Sequence, residues 1–269
     1  MKYINILSAC VGLTCSVSAN ASIVDLTTAN SSGTINGAQF YQYSANLPVG
    51  TGVFGPFLRV QNNGVESGFN TNGALQFDSK PGSWTHAVKL GDIPLINGYR
   101  QFSLDINEAA SKTNSLLSLD EVQLFITSDA NLTGYNTGTR SFGSSATKVY
   151  DMDSPVGLLT ANNWVKLDYA LSGSGSGRAD MLMYVPDSYF LLGGATAASN
   201  VVMFTKFGTN FAVSSGLGAS AGFEEWSVNK ITAGSAYTPT PIPVPAAAWL
   251  LGSGLIGLVG VARRKDAAI

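Results

Sequence analysis

Only 12% of the residues are charged, yet acidic side chains gather in three short stretches: Asp105-Ile106-Asn107-Glu108, Leu119-Asp120-Glu121-Val122 and Phe223-Glu224-Glu225-Trp226. Neighbouring side chains of a strand point to opposite faces. Glu224 therefore shares a face with Trp226 and Val228, and Glu225 shares one with Phe223. Whichever face is the core, one glutamate enters it beside an aromatic ring. A buried carboxylate must be paired, protonated or metal-bound. Asp120 raises the same question, because it falls on the face of Val122, Leu124 and Ile126. Calcium takes about six to eight oxygens from carboxylates, amides and carbonyls. Asp105, Asn107, Glu108, Asp120, Asp180 and Glu224 offer such oxygens and form the candidate calcium set. Their spacing is not that of an EF-hand, and the plain alternative is solvated strand ends or edge charges that oppose aggregation.

Other residue types narrow the chemistry further. Asp151-Met152-Asp153-Ser154 reads as a second oxygen-rich loop or, more simply, a turn capped by its own aspartates. Gly173-Ser174-Gly175-Ser176-Gly177-Arg178 lacks the Gly-Lys-Ser/Thr and the helix of a phosphate loop, and reads as a hairpin loop. His86 is the single histidine, and the two cysteines, Cys10 and Cys15, lie in a removable leader. Histidine triads, zinc sites and thiol nucleophiles are therefore not expected. Glycoside hydrolysis needs only two carboxylates facing each other across a cleft, but adjacent Glu224 and Glu225 point apart. No catalytic residue is assigned and the body is read as non-enzymatic. Tyr41, Tyr43, Trp84, Tyr135, Trp164, Tyr184 and Tyr189 are either a sugar-stacking platform or core.

The ends of the 269-residue chain differ from its middle. Met1-Lys2, the apolar run Ile4–Leu13 and the small-x-small site Ala19-Asn20-Ala21 form a secretory signal, residues 1–21, with a mature start near Ser22. Residues 236–245 hold alternating prolines, which favour a stiff, extended stalk. Ala246–Ala262 then runs 17 residues without a charge, the lower limit for a membrane-spanning helix. Arg263, Arg264 and Lys265 follow and should stay cytoplasmic. The ends hold four of the 15 basic and one of the 17 acidic residues, so the body carries a net charge of −5. That balance argues against a nucleic-acid partner.

In the body, short runs rich in aromatic and β-branched residues alternate with turn signals such as Asn62-Asn63-Gly64, Asn72-Gly73 and Asn97-Gly98. Phe102, Leu104 and Ile106 oppose Gln101, Ser103 and Asp105, and Val122, Leu124 and Ile126 oppose Glu121, Gln123 and Phe125. Further expected strands are Gln39–Tyr43, Phe57–Gln61, Ala74–Phe77, His86–Leu90, Trp164–Leu171, Met181–Val185, Val201–Phe207 and Phe223–Ile231, with at most a helical turn over Asn107–Ser115. The fold class is all-β: one antiparallel, jelly-roll-like β-sandwich over residues 22–235, preceded by a signal peptide and followed by a single C-terminal transmembrane helix over 246–269.

The tail Ile242-Pro243-Val244-Pro245-Ala246, then Trp249–Leu255, Gly257–Gly260 and Arg263-Arg264-Lys265, resembles the PEP-CTERM sorting signal in its VPLPA variant. The resemblance implies a Gram-negative bacterium, an exosortase-type membrane protease as partner and transient residence in the inner membrane. Pro243-Val244-Pro245 stands where the family usually has Pro-Glu-Pro, which leaves the cleaved bond open. Within the body, Leu104–Glu108, Leu117–Phe125, Tyr150–Asp153, the Gly173–Gly177 loop with Asp180-Met181, and Gly222–Trp226 resemble bodies that PEP-CTERM proteins carry, a likeness that implies no reaction. The expected role is structural or adhesive, at the cell surface or in an extracellular matrix of polysaccharide. No cofactor is expected for that role; the alternatives are a carbohydrate-binding module, with or without dependence on calcium, and a glycan-active hydrolase.

Overall fold

The computed structural model describes residues 21–43, 54–108, 115–153, 162–172, 177–210, 218–220, 222–231 and 239. Residues 1–20 of the leader, the sorting motif and the tail lie outside the described residues, as do 109–114 of the expected helical turn and 173–176 of the glycine-serine loop. No helix among the described residues is long and apolar enough to cross a membrane.

The chain is mostly β. Its strands are β1 (Ile23–Asp25), β2 (Ser32–Ile35), β3 (Ala38–Gln42), β4 (Pro56–Val60), β5 (Asn63–Gly64), β6 (Glu66–Phe69), β7 (Val88–Lys89), β8 (Leu95–Ile96) and β9 (Tyr99–Asp105). After them come β10 (Leu116–Thr127), β11 (Thr147–Asp151), β12 (Trp164–Asp168), β13 (Met181–Pro186), β14 (Asn200–Phe207), β15 (Ala219–Ser220) and β16 (Glu224–Ser227). One sheet runs β1-β12-β10-β14-β6, with β11 beside β10 and β7 beside β14; the other runs β2-β3-β13-β9-β16-β4, with β8 beside β9. The two stack as a sandwich. Asn97-Gly98 makes the two-residue turn between β8 and β9, both residues at positive φ, as such a hairpin requires.

The expected alternation builds the core. Phe102, Leu104, Met181, Met183 and Trp226 of one sheet bury against Leu117, Leu119, Val122, Leu124, Val165, Val201 and Met203 of the other. Trp226 Nε1 donates to Thr205 Oγ1 at 3.3 Å, so the largest buried ring also satisfies its one polar atom across the sheets.

Several expected elements differ. The ladders are antiparallel except for β1 with β12, which is parallel. Ala74–Phe77 is not a strand: Phe77 takes a left-handed φ of 59°, which no ladder accepts. His86–Leu90 shrinks to β7, because the chain enters a 3-10 turn at Leu90–Asp92. The strand from Trp164 stops at Asp168, whose side chain accepts the Ala170 amide and caps a turn. The strand expected over Phe223–Ile231 is only β16. Asp120 leaves the face of Val122, because the register of β10 against β14 shifts between Leu119 and Glu121, making Asp120 the extra residue of a bulge. A six-residue helix, Asp187–Leu192, was not apparent in the sequence pattern.

The outer face of the β10 sheet is also dry. Phe69, Phe125 and Phe204 are covered by Leu132, Tyr135 and Phe142 from the segment between β10 and β11. Tyr135 stacks on Phe204 with centroids 4.1 Å apart. Arg140 pins this cover: it bonds Glu121 at 2.9 Å, Asp151 at 2.9 Å and Asp153 at 3.0 Å. Removing it leaves Glu121 and Asp153 without an ion-pair partner among the described residues, and Asp151 with Lys148 alone. We expect Arg140→Ala to cost about 2–3 kcal/mol, below the range for a fully buried pair because Arg140 is part-exposed. In a domain of this size that is a fall of about 4–12 °C in Tm. An unchanged Tm in calorimetry would mean the cover is held by its aromatic contacts alone.

Candidate functional site: a carboxylate-rich end of the sandwich

The two sheets carry most of their buried acids to one end. β9 ends there with Asp105 and continues to Asn107 and Glu108, Asp180 precedes β13, Glu224 and Glu225 open β16, and Glu66 opens β6. Because β16 alternates, its two glutamates part company. Glu224 turns inward with Trp226, and Glu225 turns to the outer face, opposite Asp105 on one side and Arg59 on the other.

The outward group is a row of acids with Arg59 at the Glu225 end and Arg178 acting on Asp180. Asp105 is 1% exposed; its Oδ2 accepts the Gly177 amide at 2.6 Å and its Oδ1 has no partner. Burial, and then the Glu225 carboxylate, push Asp105 from 3.8 to about 7. Asp180 Oδ2 accepts the Ile106 amide at 2.7 Å and its Oδ1 is likewise unpartnered. Burial and then Asp105 hold Asp180 well above the carboxylate range. Glu225 accepts Arg59 Nε at 2.6 Å. The Arg59 guanidinium lies 4.3 Å from the Trp84 ring centre and 4.2 Å from that of Phe223, a cation between two rings.

The inward group has no cation. Glu66 and Glu224 are both fully buried, one from each sheet. Glu66 Oε2 accepts the Asn62 amide at 2.7 Å, and the Glu66 and Glu224 carboxyls bond to each other, with the Asn107 amide also reaching Glu224. Burial first, and then the Glu66 carboxyl that it meets, hold Glu224 well above the ordinary carboxylate range. Glu108 lies close by and is raised by burial; its Oε2 accepts the Ser220 amide at 2.9 Å, and the Ser220 hydroxyl also donates to it.

The structure thus divides the expected calcium set. It brings Asp105 to Asp180 and Glu108 to Glu224, adding Glu225 to the first group and Glu66 to the second. Asn107 bridges the two, its Nδ2 donating to the Phe223 carbonyl at 2.9 Å. Asp120 stands apart, its carboxylate taking the Thr209 amide at 2.6 Å and the Asn210 side chain at 2.6 Å. Among the described residues, no three carboxylate, imidazole or thiol groups stand ready as a metal site. Asp151 and Asp153 both pair with Arg140, with Lys148 also on Asp151, and Asp151 Oδ1 caps the Asp153 amide as a self-capping turn should. His86 is exposed and touches none of the acidic groups. Of the candidate sugar-binding rings, Tyr41, Tyr43, Tyr135 and Tyr184 are buried, whereas Trp84 keeps 42% of its surface. Glu66 and Arg59 escaped sequence reasoning because their partners lie far along the chain. The one local hint was a charge within a short apolar run.

No family model, no curated protein and no solved structure matches this chain.

The raised Asp105 has a definite pH signature. A carboxyl whose native pKa lies above its unfolded value favours the native state while protonated. Its contribution is full below about 3.8 and is lost as pH rises to about 7. Asp105→Asn keeps an acceptor for the Gly177 amide and cannot ionise. With a chelator present, this variant should melt higher than the parent above neutral pH and lose part of the decline between those pH values. An identical pH profile would show that Asp105 is not charged at a cost in the folded chain.

Proposed function

We propose that the chain is an exported protein of a Gram-negative cell surface or extracellular matrix, structural or adhesive in role and non-catalytic. In this reading a leader ending at Ala21 is removed, and the body over 22–235 is a jelly-roll-like sandwich. A stalk over 236–245 then leads to a transmembrane sorting tail over 246–269, where an exosortase-type protease cuts. One observation supports the reading: Ser22, the residue that would follow the cut, is bonded into the fold. The Ser22 amide donates to Asn163 Oδ1 at 2.6 Å, the Ser22 carbonyl accepts the Trp164 amide at 3.1 Å, and β1 begins at the next residue. The amine freed by cleavage at Ala21 would sit on that same acceptor. The −5 charge of the body suits a secreted, soluble surface.

A second reading, binding of matrix polysaccharide, is favoured by the half-exposed Trp84 ring, over which the Arg59 guanidinium lies. Such a ring offers a sugar an apolar face beside charged donors.

Expression in an exosortase-bearing Gram-negative host tests both. Intact mass of the released protein should give an N-terminus at Ser22 and a C-terminus within 238–245. Pro243→Ala with Pro245→Ala should leave the chain in the inner-membrane fraction. Surface protein that retains 246–269 would sink the sorting proposal. In affinity electrophoresis against the host's matrix polysaccharide, Trp84→Ala should weaken retardation by about tenfold, the worth of one stacked ring. Equal retardation of both forms would remove Trp84 from any binding face.

A further inference from the structure

Glu66 opens β6 in one sheet and Glu224 opens β16 in the other, and both are wholly buried. Their carboxyls bond to each other across the gap between the sheets. Backbone amides hold each of them: Asn62 donates to Glu66 at 2.7 Å, and the Asn107 amide reaches Glu224. The strand partners at this level are apolar, Phe207 of β14 beside Glu66 and Val60 of β4 beside Glu224. Lys206 and Glu225, the neighbours of Phe207 and Glu224 along their strands, alternate to the outer faces. The other charged groups acting on the pair are Glu108, from the segment after β9, and Asp78 and Lys80, from the segment after β6. None of the ion pairs among the described residues involves Glu66, Glu108 or Glu224. The Arg140 cluster and the Arg59–Glu225 pair differ, because there a guanidinium meets the buried acids.

An ionised carboxylate is an acceptor only, so two of them can bond to each other only through a proton that the pair keeps. Two carboxyls in contact inside a dry core cannot both ionise. We propose that Glu66 and Glu224 share one proton and work as a pH-sensitive latch: the shared proton bonds one sheet to the other, and its loss drives β6 and β16 apart at this end of the sandwich. Burial raises both groups above their ordinary 4.5; the contact then raises Glu224 further and lowers Glu66. Glu224 is therefore the donor and Glu66 the acceptor, although the titration belongs to the pair. The folded state binds the proton more tightly than the unfolded chain. The latch thus contributes fully below about 4.5 and is lost as pH rises through the folded value. Glu108 is tied to Ser220 rather than to the pair, and its charge adds to the repulsion. The latch is independent of where the chain is sorted.

The test follows the full-length chain in detergent, with EDTA present, from acid to mildly alkaline pH. Three readouts are used: Tm, amide hydrogen exchange, and the infrared band of protonated carboxyl groups, which ionised carboxylates lack. While the closed form holds one proton more than the opened one, the opening constant of this end should rise about tenfold per pH unit. Exchange at β6 and β16, corrected for its intrinsic pH dependence, should show that rise, and β11, beside Arg140, should not. In Glu224→Gln the amide donates to the Glu66 carboxylate and no proton is needed. This variant should lose part of the carboxyl band, keep its protection at alkaline pH and melt above the parent there. Glu66→Gln, whose amide can donate to Glu224, should do the same, which guards against one variant failing to fold. Glu108→Gln should keep both the band and the tenfold slope. An unchanged carboxyl band in both Glu224→Gln and Glu66→Gln overturns the proposal, as does a parent whose β6 and β16 exchange shows no extra pH dependence. A slope that survives both of those substitutions but vanishes in Glu108→Gln also overturns it, because the titrating group would then be Glu108.

Discussion

A strand must send adjacent side chains to opposite faces, and where β16 begins neither face is water. Glu224 and Glu225 are consecutive, so one enters the core and the other the covered outer face, and both are buried. The rest of this end follows from that constraint. On the outer face Glu225 is matched by Arg59, and Arg59 in turn is seated between Trp84 and Phe223. On the inner face Glu224 meets another carboxyl. The same dipeptide therefore creates a neutralised site on one side of the sheet and an unneutralised one on the other.

The β10 sheet shows the other solution to the same difficulty. Its outer face also buries charge, but Arg140 gathers Glu121, Asp151 and Asp153 while the aromatic cover closes over Gln123 and Phe125. Two apolar layers on one sheet require a long strand whose residues are dry on both faces, and β10 is that strand. Its bulge at Asp120 lets the chain keep Leu119 and Val122 both facing inward across an odd spacing. The displaced Asp120 then serves to hold the turn after β14 through Thr209 and Asn210.

Local pattern made much of this legible. Period-two alternation located β9, β10, β13 and β14 to within a few residues, because both the apolar rows and their turns are encoded within each segment. The Asn97-Gly98 hairpin was readable for the same reason. The parity argument at Glu224–Glu225 needed only adjacency. What escaped is non-local. Nothing near Glu66 says that it opens a strand facing Glu224, and nothing near Arg59 or Arg140 names the acids they neutralise. The Asp120 bulge was hidden because a register shift depends on the partner strand. Ala74–Phe77 has strand-like composition, but the conformation of Phe77 is set by packing with Phe69, Tyr135 and Phe204. Tertiary contact overrides propensity there.

The division of the acids bears on how stability would depend on surroundings. Arginine-neutralised groups such as Glu225 and Asp151 carry their counter-charge within the chain, so their contribution travels with the protein. Glu66, Glu108 and Glu224 do not, and their balance must come from solvent, as a proton or as an ion. All three are raised by burial, so each favours the folded state while it holds a proton, and this end of the sandwich loosens as pH rises.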